Sequence, residues 1–389
     1  MHNGKQEQSG TRSSNGADGY VLITGGSGFV GANLAQRLLA EGRRVVLYDN
    51  LSRPGVESNA RWLAREYGPR VRLVRGDVRD PGKLQPLVAG ASAVYHFAAQ
   101  VAVTTSLLEP IEDFEINVRG TLNVLEALRR LDRPVPLLFT STNKVYGGLE
   151  DVALQEGEQS YLPSDAALRA DGISEQRPLD FHSPYGCSKG AADQYVIDYA
   201  RSFGLRATVF RMSCIYGPRQ FGTEDQGWVA HFLIRAAARQ PIVIYGDGKQ
   251  VRDVLFVSDL IDAMLLTERH SEALSGEAFN MGGGPGNVIS LLQLLDQITL
   301  LGGGQRPLLR FDEPRVGDQR YYVSDTRKFQ AATGWRPKVS VDQGLEALSH
   351  WLKEQRASGE EQRASSEERA LESASESSAG SLVQAESLS

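Results

Sequence analysis

The sequence predicts an α/β protein, a doubly wound parallel sheet with a smaller C-terminal lobe, and three observations carry that prediction. Short apolar runs of the buried, parallel type recur at 20–24, 44–48, 71–74, 93–97, 137–140 and 205–210, with helical patterns between most of them. The first run passes through a glycine-rich turn directly into a helical pattern, Ala32 to Ala40. The second ends in an acid, Asp49, roughly twenty residues further on, the spacing of a dinucleotide site.

Taken in order, residues 1–18 are polar and Gly/Ser-rich and lack apolar periodicity, so they are expected to form a disordered leader. Order is expected from about residue 19, in a domain running to 212. In the turn Gly25-Gly26-Ser27-Gly28-Phe29-Val30-Gly31, Gly25 permits the tight bend and Gly28 lets backbone N–H groups approach a pyrophosphate. Gly31 lets the helix pack close on the strand; Ser27, Phe29 and Val30 share the turn and are cofactor candidates with the glycines. Asp49, with Asn50 beside it, is placed to hold adenosine ribose hydroxyls and would repel a 2′-phosphate, so NAD is expected rather than NADP. Arg53 nearby is the residue that leaves NADP open.

Asp77 and Val78 follow the third run and are placed to meet the adenine edge. Ala98, Ala99 and Gln100 form a small-residue bend that allows close cofactor approach. His96, at a strand end, reads as a packed core histidine more than a catalytic one. A helical pattern from Ile111 to Leu131 carries Asn117, which either faces the cofactor or packs as a helix amide.

The chemistry is expected where the fifth run ends. Open α/β sheets place ligands at the carboxyl ends of their strands, and Ser141-Thr142-Asn143-Lys144 lies there. In Ser183-Pro184-Tyr185-Gly186-Cys187-Ser188-Lys189, Tyr185 and Lys189 stand one helical turn apart and face the same way. An ammonium beside the phenol would lower its pKa, so that Tyr185 takes and returns a proton while Thr142 holds the same oxygen and NAD takes a hydride.

Between 147 and 182 the chain is polar and aperiodic, and is expected either to cover the pocket as an insertion or to lie passively on the surface. Residues 213–354 are expected to form mainly a substrate lobe, some segments returning to the main sheet. There Arg252 is placed to meet a diphosphate bidentately, the alternative being a surface arginine paired with Asp253 or Asp259. Arg315, Asp318 and Arg320 are candidates for phosphate or ribose, and Asn280 to Gly284 reads as a turn. An amphipathic helix over Val341 to Glu354 sets Leu345, Leu348, Trp351 and Leu352 on one side. Residues 355–389, acidic and serine-rich, are expected to be a solvated tail.

The 389 residues carry 42 Lys and Arg against 48 Asp and Glu, a net charge of −6, which argues against nucleic acid or an anionic membrane as the main partner. Two cysteines, Cys187 and Cys214, make neither a disulfide framework nor a zinc site, so no metal is expected. No membrane span or signal peptide is legible, and a cytoplasmic protein is expected.

GGSGFVG, Asp49, the Ser/Thr-rich strand end and the Tyr185/Lys189 pair together resemble the extended short-chain dehydrogenase/reductase family, Rossmann-fold nucleotide-sugar epimerases and dehydratases. The resemblance runs from about Tyr20 to Trp351. STNKVYG, DFHSPYGCSKGAADQYVIDYAR, YGPRQFGTEDQGWVAHF and GDGKQVRDVLF resemble a branch that epimerises carbon 2 of a CDP-sugar. It implies Thr142, Tyr185 and Lys189 as catalytic residues, and Thr142, Asn143, Tyr185, Arg219, Gln220, Arg252, Arg315 and Asp318 as substrate contacts. It also implies a homodimer or higher homo-oligomer. The family's 4,6-dehydratases carry Asp-Glu where this chain has Asn143-Lys144, so elimination of water lacks its acid and base. Cys214 stands where many relatives place an asparagine, so contacts there are not carried over. A UDP-hexose 4-epimerase, or a non-catalytic NAD-binding regulator, are the alternatives.

Overall fold

Seven strands form one all-parallel sheet in a computed structural model that describes residues 19–315 and 317–357. The expectations for the leader and for 358–389 lie outside the described residues. The strands are β1 (Tyr20–Thr24), β2 (Val45–Asp49), β3 (Val71–Arg75), β4 (Ala91–His96), β5 (Leu137–Thr142), β6 (Ala207–Met212) and β7 (Ala278–Met281). Their spatial order is 3-2-1-4-5-6-7, so the direction of winding reverses between β1 and β4, where open sheets leave a crevice for ligand.

The apolar runs are strands because both sheet faces are covered. Val21, Ile23, Val45 and Leu47 pack into one core cluster, and Leu22, Val46, Val94 and Phe139 into another on the opposite side. Gly25 has a left-handed φ of 64°, and a Cβ there would lie 2.7 Å from the Ala98 nitrogen. A Cβ on Gly31 would lie 2.6 Å from the Gly25 carbonyl oxygen, so the Phe29–Ala40 helix sits as close to its strand as glycine allows.

The predicted helix Ile111–Leu131 is interrupted. It comprises Pro110–Phe114, a π-helical turn Glu115–Arg119 and Gly120–Arg129. Thr121, just past that turn, donates to the Asn117 carbonyl at 2.6 Å, and Asp113 and Asn117, four residues apart, are both buried.

The second lobe is built on Val251–Phe256, which pairs with Cys214–Tyr216, Val288–Ser290 and Tyr321–Tyr322. Ile242–Tyr245 pairs with Leu309–Asp312 in a separate two-stranded sheet. Helices Trp228–Ala237, Leu291–Leu301 and 341–357 close a core around Tyr216, Phe232 and Ile244. Leu345 and Leu348 are fully buried in it, with Trp351 and Leu352 against them; the helix continues through 355–357, which the sequence reading assigned to the tail. After Ala278–Met281 returns to the main sheet, the Asn280–Gly284 glycines form a turn whose Gly284 N–H donates to Asp253 at 3.0 Å.

The 147–182 segment is neither a cover over the pocket nor passive. It holds a hairpin, Leu154–Glu156 with Tyr161–Pro163, whose Leu154 packs against Val251, Tyr321 and Val323. Lys249 pairs with Glu156 at 2.7 Å, Tyr161 donates to Asp247, and Ile173 exchanges backbone bonds with Val323 and Asp325. No residue from 145 to 184 lines the central cavity. The segment's few apolar residues, among them Leu154, Tyr161 and Ile173, brace the second lobe.

Candidate active site

A cavity of about 710 Å³ lies between sheet and second lobe, at the carboxyl ends of β1, β4, β5 and β6. One arm is lined by Gly25, Gly28, Phe29, Val30, Gly31, Asp49, Asn50, Asp77, Val78, Ala98 and Ala99. The Phe29–Ala40 helix begins here, presenting unpaired backbone N–H groups and the positive end of its dipole. Apart from its chain neighbours, a Cβ built on Gly28 would meet the Gly25 carbonyl oxygen at 3.2 Å, so the cradle is shaped by absent side chains. Both oxygens of Asp49 accept backbone bonds, from Ser27 N and Leu51 N at 2.9 Å each, which aims the carboxylate while burial pushes its pKa up. Arg53 lines the same arm, and burial pulls its guanidinium down. A pyrophosphate at the helix start and a ribose at Asp49 fit these donors and acceptors, as a dinucleotide requires.

At the centre stand Thr142, Tyr185 and Lys189, all buried and all lining the cavity. The Ser183–Phe203 helix presents Tyr185 and Lys189 on its inner face, and β5 ends in Thr142. A Thr142 hydrogen bond favours the phenolate of Tyr185, but burial outweighs it and pushes the phenol up to about 12. This corrects the expectation that Lys189 lowers it here. Lys189 turns its ammonium to the Thr140 carbonyl at 2.6 Å and over the Phe139 ring at 4.2 Å. Burial drops it to about 7.

The other arm is lined by Asn143, Gln220, Arg252, Arg315 and Asp318. Arg252 does not pair with Asp253 or Asp259. Its guanidinium meets Asp318 at 2.7 Å, while Asp253 accepts from Ser213 and Gly284, and Asp259 from the backbone of Lys338 and Val339. Arg315 stacks 4.0 Å over Tyr245 and pairs with Asp225 at 3.3 Å. Two cations thus flank a cavity in an acidic protein.

Five expected residues do not line it. Ser27 is wholly buried behind the glycine turn, its backbone committed to Asp49 and Asn59. Gln100 donates to Ala102 O at 2.8 Å and to Asp113 at 2.9 Å, and Asn117 donates to Ser188 at 2.9 Å, so both tie the bend to the Tyr185 helix. Arg219 turns outward and stacks 3.7 Å over Trp62. Arg320 likewise lies away from the cavity, 5.6 Å over Tyr161. His96 is a core residue: Thr24 and Thr121 occupy its ring nitrogens at 2.6 and 3.1 Å, and burial holds its pKa near about 3.

Residues the sequence reading did not select also line the cavity: Lys144, Cys214, Glu224, Trp228, Tyr245 and Gln250. Lys144 donates to Gly317 O at 3.1 Å and approaches Asp318 at 3.5 Å. Trp228 donates to Cys214 Sγ at 3.2 Å, and burial raises that thiol. Glu224 and Trp228 belong to TEDQGWV, where a Gly-preceded aromatic opens a helix; that was the available signal, although only packing decides which side chains turn inward. Among the described residues no group of His, Cys, Asp or Glu could hold a metal ion, and no helix is long and apolar enough to cross a membrane.

A model of the NAD dependent epimerase/dehydratase family matches residues 21–282. The chain is 44% identical over 340 residues to CDP-paratose 2-epimerase from Salmonella typhi, covering 85% of this chain and 98% of that one. It is 31% identical to a dTDP-glucose 4,6-dehydratase from Xanthomonas campestris over 85% of this chain and 92% of that one. The structure of Thermus thermophilus UDP-glucose 4-epimerase in complex with NAD resembles it with a TM-score of 0.71 and 31% identity, over 86% of this chain and 99% of that one. UDP-glucuronic acid 4-epimerase from Bacillus cereus, in complex with UDP-glucuronic acid and NAD, does so with 0.73 and 26%, over 86% and 99%.

Proposed function

We propose, from the premise that this chain belongs to the NAD dependent epimerase/dehydratase family of nucleotide-sugar enzymes, that it is an isomerase inverting carbon 2 of CDP-paratose to give CDP-tyvelose. The observation that carries this reading is Thr142, Tyr185 and Lys189 converging in one cavity of a chain 44% identical to CDP-paratose 2-epimerase. Bound NAD supplies the hydride acceptor and gives the same hydride back. The glycine cradle and Asp49 hold it; Tyr185 takes the proton of the sugar hydroxyl, and Thr142 steadies the oxygen as the C–O bond becomes a carbonyl. Lys189 stands one helical turn from the tyrosine and lines the same cavity. The 2-keto sugar turns within the cavity, hydride returns to its other face, and Tyr185 returns the proton, so atoms and electrons balance within one turnover. Arg252 and Arg315 hold the diphosphate end.

Dehydration is disfavoured by residue type. Asn143 and Lys144, next to Thr142, have no carboxyl to take a proton from a carbon or give one to a leaving hydroxyl. We further propose a homodimer built on the helices before the active-site helix, where Leu108, Ile111 and Phe114 stand 79%, 75% and 46% exposed. The deciding assay for the substrate is NMR of purified protein with CDP-paratose, UDP-glucose and their epimers. Conversion of CDP-paratose supports the reading; turnover of UDP-glucose alone would assign the chain to 4-epimerisation, and no turnover with any nucleotide-sugar would leave only NAD binding.

A further inference from the structure

Asp113 lies on the Pro110–Phe114 helix, lines no part of the cavity, and is 0% exposed. A wholly buried carboxylate is costly unless its oxygens are satisfied. Its Oδ1 accepts from Gln100 at 2.9 Å and from Asn117 at 3.2 Å, and its Oδ2 accepts from the Ser188 hydroxyl. Ser188 lies between Tyr185 and Lys189 on their helix and also accepts from Asn117 at 2.9 Å. A second tie enters beside it: Tyr185 N donates to Ser106 Oγ at 3.1 Å. Three neutral donors from three segments thus converge on one acid behind the Tyr185/Lys189 turn, more than packing that turn requires.

We propose that Asp113 is a positioning residue, which fixes the Tyr185/Lys189 turn through Ser188 and sets, by its buried negative charge, the pH range over which that pair moves a proton. This rests on Tyr185 and Lys189 being the proton-handling pair. Of the other charged groups around them, Asp193, on the same helix, also favours the Lys189 ammonium but is held by Arg211 of β6 through two bonds of 2.9 Å, and His96 of β4 stays neutral. Among the described residues, Asp113 has only neutral hydrogen-bond donors. Its charge favours the ammonium of Lys189 and disfavours the phenolate of Tyr185, so it raises both pKa values together.

Asp113→Asn keeps the shape, and its amide can donate to a Ser188 hydroxyl that then turns fully to the Tyr185 carbonyl, 3.2 Å away. Removing the charge should lower both pKa values, moving both limbs of the kcat/KM against pH profile to lower pH by at least about half a unit. Tyr185, followed by ¹³Cζ-tyrosine NMR without substrate and assigned by loss of its signal in Tyr185→Phe, should titrate at lower pH in the variant. Asp113→Glu should hold both limbs near their wild-type positions. If Asp113→Asn does not fold, Asp113→Ser, smaller and equally uncharged, carries the same test. Unmoved limbs and an unmoved Tyr185 titration would overturn the proposal even if turnover fell. Full activity in Tyr185→Phe would instead overturn the acid–base reading, and the NMR titration distinguishes the two failures.

Discussion

At the scale of the residue, Tyr185 is proposed to act through one proton. Tyr185→Phe keeps the ring and its packing, so turnover should fall about 10²–10⁴-fold with little change in nucleotide-sugar affinity, measured by NMR rates and calorimetry. A variant turning over near the wild-type rate would remove Tyr185 from the chemistry. Lys189 makes a prediction of a different kind. Burial holds its folded pKa at about 7, below the ordinary 10.5, so between these values the unfolded chain binds the extra proton and stability rises with pH. Cofactor-free wild type should therefore gain melting temperature relative to Lys189→Met between pH 6 and pH 9; a gain in the opposite direction would contradict the burial. Asp49, aimed by two backbone bonds, should make the protein retain NAD in preference to NADP. Tighter binding of NADP would show that Arg53, in the same arm, sets the choice. The Tyr/Lys spacing was legible at this scale, because it is local. The sign of the tyrosine shift was not, because it depends on how completely the fold excludes water from the phenol.

At the scale of the element, the glycine turn is where sequence and structure agree most closely. A Cβ on Gly31 would meet both the Gly25 carbonyl and Gly26 Cα at less than 2.8 Å, so the helix must move away from β1 to admit it. Gly31→Ala should cost roughly 1–3 kcal/mol in urea unfolding and release NAD, two losses with one cause. Unchanged stability together with unchanged NAD retention would mean that the close approach is unnecessary. The 111–131 pattern shows the limit of such reading. Its apolar period is helical throughout, yet the chain makes a π-helical turn at Glu115–Arg119, beside the buried Asp113 and Asn117 that hydrogen-bond to Gln100 and Ser188. The 147–182 insertion, too polar to yield a period, gained its order from distant partners, Glu156 pairing with Lys249 and Ile173 with Val323.

At the scale of the whole molecule, the exposed Leu108, Ile111 and Phe114 are expected to meet a second copy of the chain. Sedimentation of the wild type at micromolar concentration should give a dimer and Ile111→Glu should give monomers; a monomeric wild type would refute the dimer. The Pro110–Phe114 helix, which carries Ile111 and Phe114, also holds the buried Asp113, so the proposed interface and the proposed positioning residue share one short element. The winding of the sheet, the dinucleotide cradle with its acid, and the offset of Tyr185 from Lys189 are all legible in residue order. Each is written in a short-range pattern: strand period, turn residues, helical spacing. That Arg219 and Arg320 turn away while Lys144, Cys214 and Tyr245 turn in, and that Arg252 meets Asp318 rather than Asp253, follows from long-range packing. Those outcomes depend on which distant segments bury each face of a loop, and no local period encodes them.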